Sequence, residues 1–484
     1  MRKNTLLTAA ACAATVLGLI GTAPATAATT AAPATTSATA TTATTSALAA
    51  PDTADFNNDG YPDLAIGAHT ATVNGLKKAG AVSVVYGSAT GFQHDKASVI
   101  TQSTQGVEGD PSEGNHWSHV SGHGDFDHDG YDDLLIASYS KLQILWGSKQ
   151  GITGASVSVP TGWEHTGGPD RLQTAAAIGD VNGDGTPDIL STTWGSGRLG
   201  HALVTEYGPF DRTTGKPKSV VHRDTASQDG HDTSAVQAGD MTGDGIGDVL
   251  IGGYTKQWVR KTTLFRGTRT NGLVKVGDVP NASSGSFGDI NGDGHQDFVS
   301  RGDEKVTVIY GGPGGVSATL PSRSYSQASA GVPGTSETGD LFGSTVAVAD
   351  TDQDGYADIL IGAPGETGTD PATTARSGAI TVLRGSKTGV TTTGAKSFTQ
   401  NSAGIPSTSE LDDKFGTTIR VLDSDKDGKP EVYIGGHGED NFTGRVWKLK
   451  TDTTGVTGTG ATSFNLADLG GSKGLASFGF RTAG

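Results

Sequence analysis

Oxygen-bearing side chains recur at positions one, three, five and nine of a nine-residue loop, seven times along this 484-residue chain. The first copy uses Asp55, Asn57, Asp59 and Asp63, and the second uses Asp125, Asp127, Asp129 and Asp133. Asp180, Asn182, Asp184 and Asp188 make the third, and Asp240, Thr242, Asp244 and Asp248 the fourth. The fifth has Asp289, Asn291, Asp293 and Asp297; the sixth has Asp350, Asp352, Asp354 and Asp358. Asp423, Asp425, Asp427 and Glu431 complete the set, and every copy carries glycine at position six, where the backbone turns sharply. Hard oxygen donors crowded at this spacing suit Ca²⁺, which takes six to eight oxygens in a flexible shell. The expected cofactor is therefore Ca²⁺, at up to seven sites.

An EF-hand loop opens the same way but closes with a bidentate glutamate at position twelve and runs into a helix. Position twelve here is Ile66, Ile136, Ser191, Ile251, Ser300, Ile361 or Ile434, and short apolar runs such as Leu64-Ala-Ile66 and Ile359-Leu-Ile361 follow position nine. Such runs bounded by glycine read as buried strands, so each loop is expected at the tip of a β-hairpin. One acidic turn alone would be an ordinary solvated turn; seven in register are not. Thr242 makes the fourth copy the poorest ligand set, and Glu431 replaces aspartate in the seventh.

Positioning these loops requires a repeated β unit. Loop starts lie 49 to 73 residues apart, and the second strand after a loop alternates and ends at glycine, as in Val82-Ser-Val-Val-Tyr-Gly87 and Val306-Thr-Val-Ile-Tyr-Gly311. Each interval holds a four-stranded unit, and such a period points to an all-β seven-bladed β-propeller. A second repeat runs Gln102 to Val107, Gln327 to Val332 and Gln400 to Ile405, each followed by a turn and an acid: Glu113, Glu337 or Glu410.

Phe342-Gly343 and Phe415-Gly416 each stand eight residues before a loop, and Gly362-Ala363-Pro364 follows the sixth loop. In these motifs the chain resembles the FG-GAP repeat of integrin α-subunit propellers and of bacterial integrin-like and VCBS-type proteins, over residues 52–484. The resemblance implies that each calcium loop joins the first and second strands of a blade. Blades three to five depart from the pattern, with Leu172, Asp232 and Asn281 where phenylalanine might stand. Within the expected folded region only Asp52, Thr53 and Ala54 precede Asp55, too few for a first strand, whereas Phe478-Gly479-Phe480 lies at the other end. The C-terminal segment is thus expected to supply that strand and close the ring, with Phe478 beside the strand that begins at Leu64 and close to the Asp55 loop.

Residues 1–27 read as an export signal, with Arg2 and Lys3, an apolar stretch and the small-residue site Ala25-Thr26-Ala27. Residues 28–51 collapse to Ala, Thr, Ser and Pro and read as a disordered spacer, so the folded domain is expected over 52–484. Cys12, the only cysteine, lies within the signal, so metal rather than disulfides is the available staple. Net charge is −16, which argues against nucleic acid or an anionic membrane as partner, and positions one, three, five and nine of the loops hold 24 of the 51 acidic residues. No segment after the signal has the ~20 apolar residues of a spanning helix. The expected product is secreted, extracellular or wall-associated, and monomeric.

Other chemistry is thin. Gly470-Gly-Ser472-Lys-Gly474 matches a nucleophile elbow in spacing but sits in glycine-rich β context. His116, His119, His123 and His128 read as polar residues of an interblade loop and strand, and Arg301-Gly302-Asp303 as a chance tripeptide. By resemblance, the face opposite the calcium loops carries the ligand site, and His69, Tyr139, Trp194, Tyr254, Trp258, Arg301 and His437 are expected there. Exposed aromatics can stack on sugars or anchor a protein. The reading is a binding or adhesion module for an extracellular protein or carbohydrate. The alternatives are a polysaccharide-acting enzyme on the same scaffold and a structural envelope protein.

Overall fold

A computed structural model describes residues 53–484 except 139–140, 161–170, 195–201, 271, 281 and 303. The export signal and spacer, Tyr139, Asn281 and Asp303 thus lie outside the described residues. A strand follows each acidic loop directly: Leu64–Ala68, Asp133–Ser138, Asp188–Trp194, Asp248–Tyr254, Asp297–Gly302, Asp358–Ala363 and Glu431–Gly436. Each is the second strand of a four-stranded antiparallel sheet, and there are seven such sheets. Each loop joins the first strand to the second, as the repeat implies; the sixth links Thr345–Ala349 to Asp358–Ala363. First strands of neighbouring blades touch one another around the ring.

The apolar runs are continuous because both faces of a blade are covered. In Leu64–Ala68, Ala65 packs with Leu134 and Ile136 of blade two, whereas Leu64 and Ile66 pack with Tyr433 and Val446 of blade seven. Alternate side chains thus enter different interblade cores, so neither face is left for polar residues. Each fully buried Leu, Ile or Val contributes about 1.5–3 kcal/mol.

Phe342, Phe415 and Phe478 are fully buried at the entry to the first strands of blades six, seven and one. Phe415 bridges to Gly378 and Phe478 to Gly444, each the residue just before the preceding blade's third strand. In blade two Trp117 takes this place, its backbone N–H donating to the Ala79 carbonyl at 2.8 Å. An aromatic wedge thus stands at the entry to blades one, two, six and seven, and tryptophan can take the place of phenylalanine there.

Residues Phe478–Ala483 pair antiparallel with Leu64–Ala68 and complete blade one. Ala483 faces Ala65, and Phe478 faces Ala68 at the strand end remote from the Asp55 loop. The expected closure holds, but Phe478 sits opposite to where it was expected along that strand. The reason is geometric: an FG pair opens the first strand, and the strand then runs down to the loop. Deleting 478–484 uncovers the edge of Leu64–Ala68 and removes a wedge. Loss of the monomer peak in size exclusion and of a cooperative melt is the expected result.

Candidate functional site

Each loop is folded by its own acids. Asp55 accepts from the backbone N–H of Asp59 at 3.1 Å and of Gly60 at 2.8 Å, and Asp59 accepts from Tyr61 at 3.0 Å. Position-six glycines have positive φ, from 79° at Gly245 to 93° at Gly130, a conformation that costs other residues steric strain. Asp63, at position nine, is fully buried and uses both oxygens: Oδ2 accepts from Phe56 N–H at 2.8 Å and Oδ1 from Gly87 N–H at 2.9 Å. Asp133 does the same with Phe126 and Gly147, and Asp297 with Ile290 and Gly311. The position-nine acid therefore ties the loop's entry to the glycine that ends the third strand. That glycine has no room for a side chain, because a Cβ on Gly147 would run into the carbonyl oxygens of Asp132 and of Phe56 in blade one.

Loop backbones also join neighbours. Asp55 O accepts from Asp132 N–H at 3.2 Å, and Asp240 and Asp289 carbonyls accept likewise from Gln296 and Ala357 of the next blade.

Acids in loops two, six and seven converge most closely. Ligand oxygens of Asp125, Asp127 and Asp133 lie within 4.8 Å of one another, as do those of Asp350, Asp352 and Asp354 and those of Asp423, Asp425 and Glu431. Asp127 Oδ1 and Asp352 Oδ1 are buried without a hydrogen-bond partner. Unsatisfied buried carboxylate oxygens are costly, and a hard cation is the ligand that satisfies several at once. Thr242, in loop four, points its hydroxyl at Asp240 Oδ1 (3.4 Å) and its N–H at Asp248 (2.8 Å). Side-chain cations reach several loops: Arg212 reaches Asp127 (2.8 Å) and Asp129, Arg384 reaches Asp352, and Lys448 reaches Glu431 at 2.8 Å.

Burial pushes the position-nine acids far up: Asp133 to about 9, Asp63 and Asp297 to about 8, Asp188 to about 7, and Asp248 and Asp358 to about 6. Burial thus favours the protonated form of these acids unless a cation answers their charge.

The opposite face gathers three of the expected ligand residues. His69 stacks on His116 at 4.1 Å and lies 4.8 Å from Phe480, whose other neighbour is His437 at 5.2 Å. The Arg481 guanidinium lies 5.5 Å from the Phe480 ring. Arg301, in blade five, is held by Ser284 Oγ at 2.8 Å and the Ser344 carbonyl at 2.7 Å; Arg420, in blade seven, donates to the Thr482 carbonyl at 2.6 Å. Burial, followed by the charge of Arg481 in blade one, lowers the basicity of both Arg301 and Arg420. Blades five and one are not neighbours, so these guanidiniums act on one another electrostatically across the ring. No carboxylate pairs with any of the three among the described residues. Burial holds His69 and His437 to about 4, leaving them neutral at pH 7.

Tyr254 and Trp258 stand apart, 6.2 Å from each other on the hairpin tip of blade four, with Trp258 80% exposed. Trp194 ends its strand, and its side chain lies outside what the structure describes. Of the other histidines, His123 contacts Asp132 at 3.4 Å and Phe56, so the four do not converge on one point. Ser472 follows a single 3₁₀ turn, Leu466–Leu469, rather than opening a helix. Phe480, Arg481 and Arg420 were not singled out from sequence; only the alternation of Phe478-Gly-Phe480-Arg481 hinted at a lined strand.

Family comparisons agree with this architecture. Residues 125–191 and 289–361 match the FG-GAP-like repeat, and 47–85 and 342–383 match the FG-GAP repeat. These repeats and the seven four-stranded blades fit an integrin-like FG-GAP propeller. The chain is 30% identical over 151 residues to the phosphatidylinositol-glycan-specific phospholipase D of Bos taurus, a match spanning 29% of this chain and 18% of that protein's length. Among solved structures it is similar to the BP39L lectin of Burkholderia pseudomallei, with TM-score 0.39 and 12% identity over 79% of this chain and 95% of that one. The Dos1 propeller gives TM-score 0.36 and 8% identity over 76% and 77%.

A raised acid pKa stabilises the fold below about pH 4 and ceases to do so as pH rises through the folded value. For Asp63, Asp133 and Asp297 that loss runs up to about pH 8 to 9. The buried histidines act oppositely, losing stability only as pH falls from about 6.5 toward 4. In chelator the melting temperature is therefore expected to fall between pH 7 and 9, and by less in Asp133→Asn. Calorimetry at the two pH values measures both.

Proposed function

We propose that the protein is an exported, calcium-loaded propeller that binds an extracellular protein or carbohydrate carrying negative charge. The FG-GAP propeller supports a general binding or scaffold role. No helix among the described residues is long and apolar enough to cross a membrane. Calcium belongs in the acidic loops, where it would supply the counter-charge that the position-one, -three, -five and -nine oxygens lack. The donor set is all hard oxygen, and the protein's part is to hold those oxygens convergent on a turn already shaped by backbone N–H groups.

The observation that carries the binding role is the ring centre opposite those loops. Arg301, Arg420 and Arg481 act on one another there without an acid partner among the described residues, under a rim of His69, His116, Phe480 and His437. In a chain of net charge −16, such a cationic centre is the place for an anionic ligand group. Arginine offers paired donors to carboxylate, sulfate or phosphate, and the rim rings offer faces to a sugar or side chain. The guanidiniums stay charged, and His69 and His437 stay neutral, through pH 6 to 8.

Uronate and sulfated glycans on an array, together with their neutral counterparts, test the reading with the calcium-loaded chain. Retention of charged glycans unchanged, reduced at least tenfold in Arg481→Gln, is expected. Release of cleaved products would favour the enzyme reading. Equal retention of neutral glycans by parent and variant would remove the cationic centre from the account.

A further inference from the structure

Outside the nine-residue loops a second kind of acidic cluster occupies the junction of blades five and six, on the face opposite those loops. Glu337 and Asp340 lie on the crossover that leads from strand Arg323–Tyr325 to strand Thr345–Ala349. Glu366 follows the second strand of blade six, Asp358–Ala363. Ligand oxygens of these three acids lie within 4.8 Å of one another, and Asp340 is only 2% exposed. Gln327, 7% exposed, enters the same cluster: its Nε2 donates to Glu366 Oε2 at 2.6 Å, while its buried Oε1 has no partner.

Two other junctions of the ring repeat this arrangement with the charge answered. Between blades six and seven the matching residues are Gln400, Glu410, Asp413 and Glu439. Their equivalence is fixed by shared bonds: Glu410 N–H donates to Asp413 Oδ2 as Glu337 N–H does to Asp340 Oδ2, and Gly444 N–H meets Glu439 O as Gly378 N–H meets Glu366 O. There Arg445 opens the third strand, with its Nε 3.6 Å from Glu439 Oε1. Between blades one and two Asn115 stands where Asp340 does, and its amide donates to Gln102 Oε1 at 2.6 Å. Blade six offers neither device. Ala379 stands in the place of Arg445, and no Lys, Arg or His among the described residues pairs with Glu337, Asp340 or Glu366.

We infer that the blade five–six junction is a further Ca²⁺ site, formed by Glu337, Asp340, Glu366 and the Gln327 side-chain carbonyl. Three carboxylates and an amide carbonyl make an all-oxygen, irregular donor set, which suits Ca²⁺ with its six to eight ligands in a flexible shell better than Mg²⁺ with its strict octahedron. The bound ion would clasp the crossover to the loop after the second strand of blade six.

Counting calcium per chain tests this, by atomic emission on the full-length protein equilibrated at one fixed free Ca²⁺ concentration. Asp340→Asn/Glu366→Gln is expected to carry one ion fewer than the parent. Ala379→Arg, which installs the side chain of the next junction, is expected to lose the same single ion and to melt higher than the parent in chelator. Ala379→Arg also decides the matter if the double variant fails to fold. Because the result is a difference between chains, it does not depend on how many of the seven loops load. A folded Ala379→Arg protein with the parental calcium count overturns the site, leaving the cluster to share protons instead.

Discussion

Everything in this propeller is arranged around a carboxylate that has been taken out of water. The position-nine acid of each blade is buried, with side-chain oxygens that accept backbone N–H groups from the loop entry and, in most blades, from the end of the third strand. Those bonds set the hairpin's geometry, and the glycine that receives one of them is wedged against the loop of the blade before. A single acid thus organises its own blade and, through that glycine, the contact with the next. Burying a charge this way is costly unless a proton or a cation answers it.

The same constraint divides the molecule electrostatically. The loop acids lie on one face, where turns hold them at metal-binding spacing, and nearby arginines and lysines fold onto them. Three arginines at the ring centre are left without such partners because the acids are committed elsewhere. A strongly acidic chain thereby presents a local cationic surface, and the two faces can serve different purposes: one for integrity, the other for recognition.

The loops and strands were legible in the sequence because their information is local. A nine-residue spacing encodes the turn, and the apolar run after it encodes a strand covered on both faces. Ring closure was legible too, from a missing first strand at one end and a Phe-Gly pair at the other. Phe478 was misplaced along its strand because the pairing register depends on where the wedge sits, not on the loop. Trp117 as a wedge was not apparent, since shape and burial rather than residue type define that place. The ring centre was the least legible feature: Arg301, Arg420 and Arg481 come from three blades, and only closure brings them within range of one another. At the blade five–six junction only Glu337 was visible as part of a repeat; Asp340, Glu366 and their lack of a counter-charge emerged only beside Arg445 and Asn115.

The account stands on the claim that metal, bound at the acidic loops, supplies the charge that the buried carboxylates require. A ligand that binds only the folded chain raises its melting temperature by mass action, and Ca²⁺ accommodates irregular oxygen shells that Mg²⁺ does not. The direct measurement is the melting curve of chelated protein at pH 7.5 as Ca²⁺ or Mg²⁺ is added back. The account predicts a rise of at least about 10 °C with millimolar Ca²⁺, equivalent to several kcal/mol, and a much smaller one with Mg²⁺. A melting curve unmoved by chelation and by Ca²⁺ would contradict it, and would make the seven loops ordinary turns.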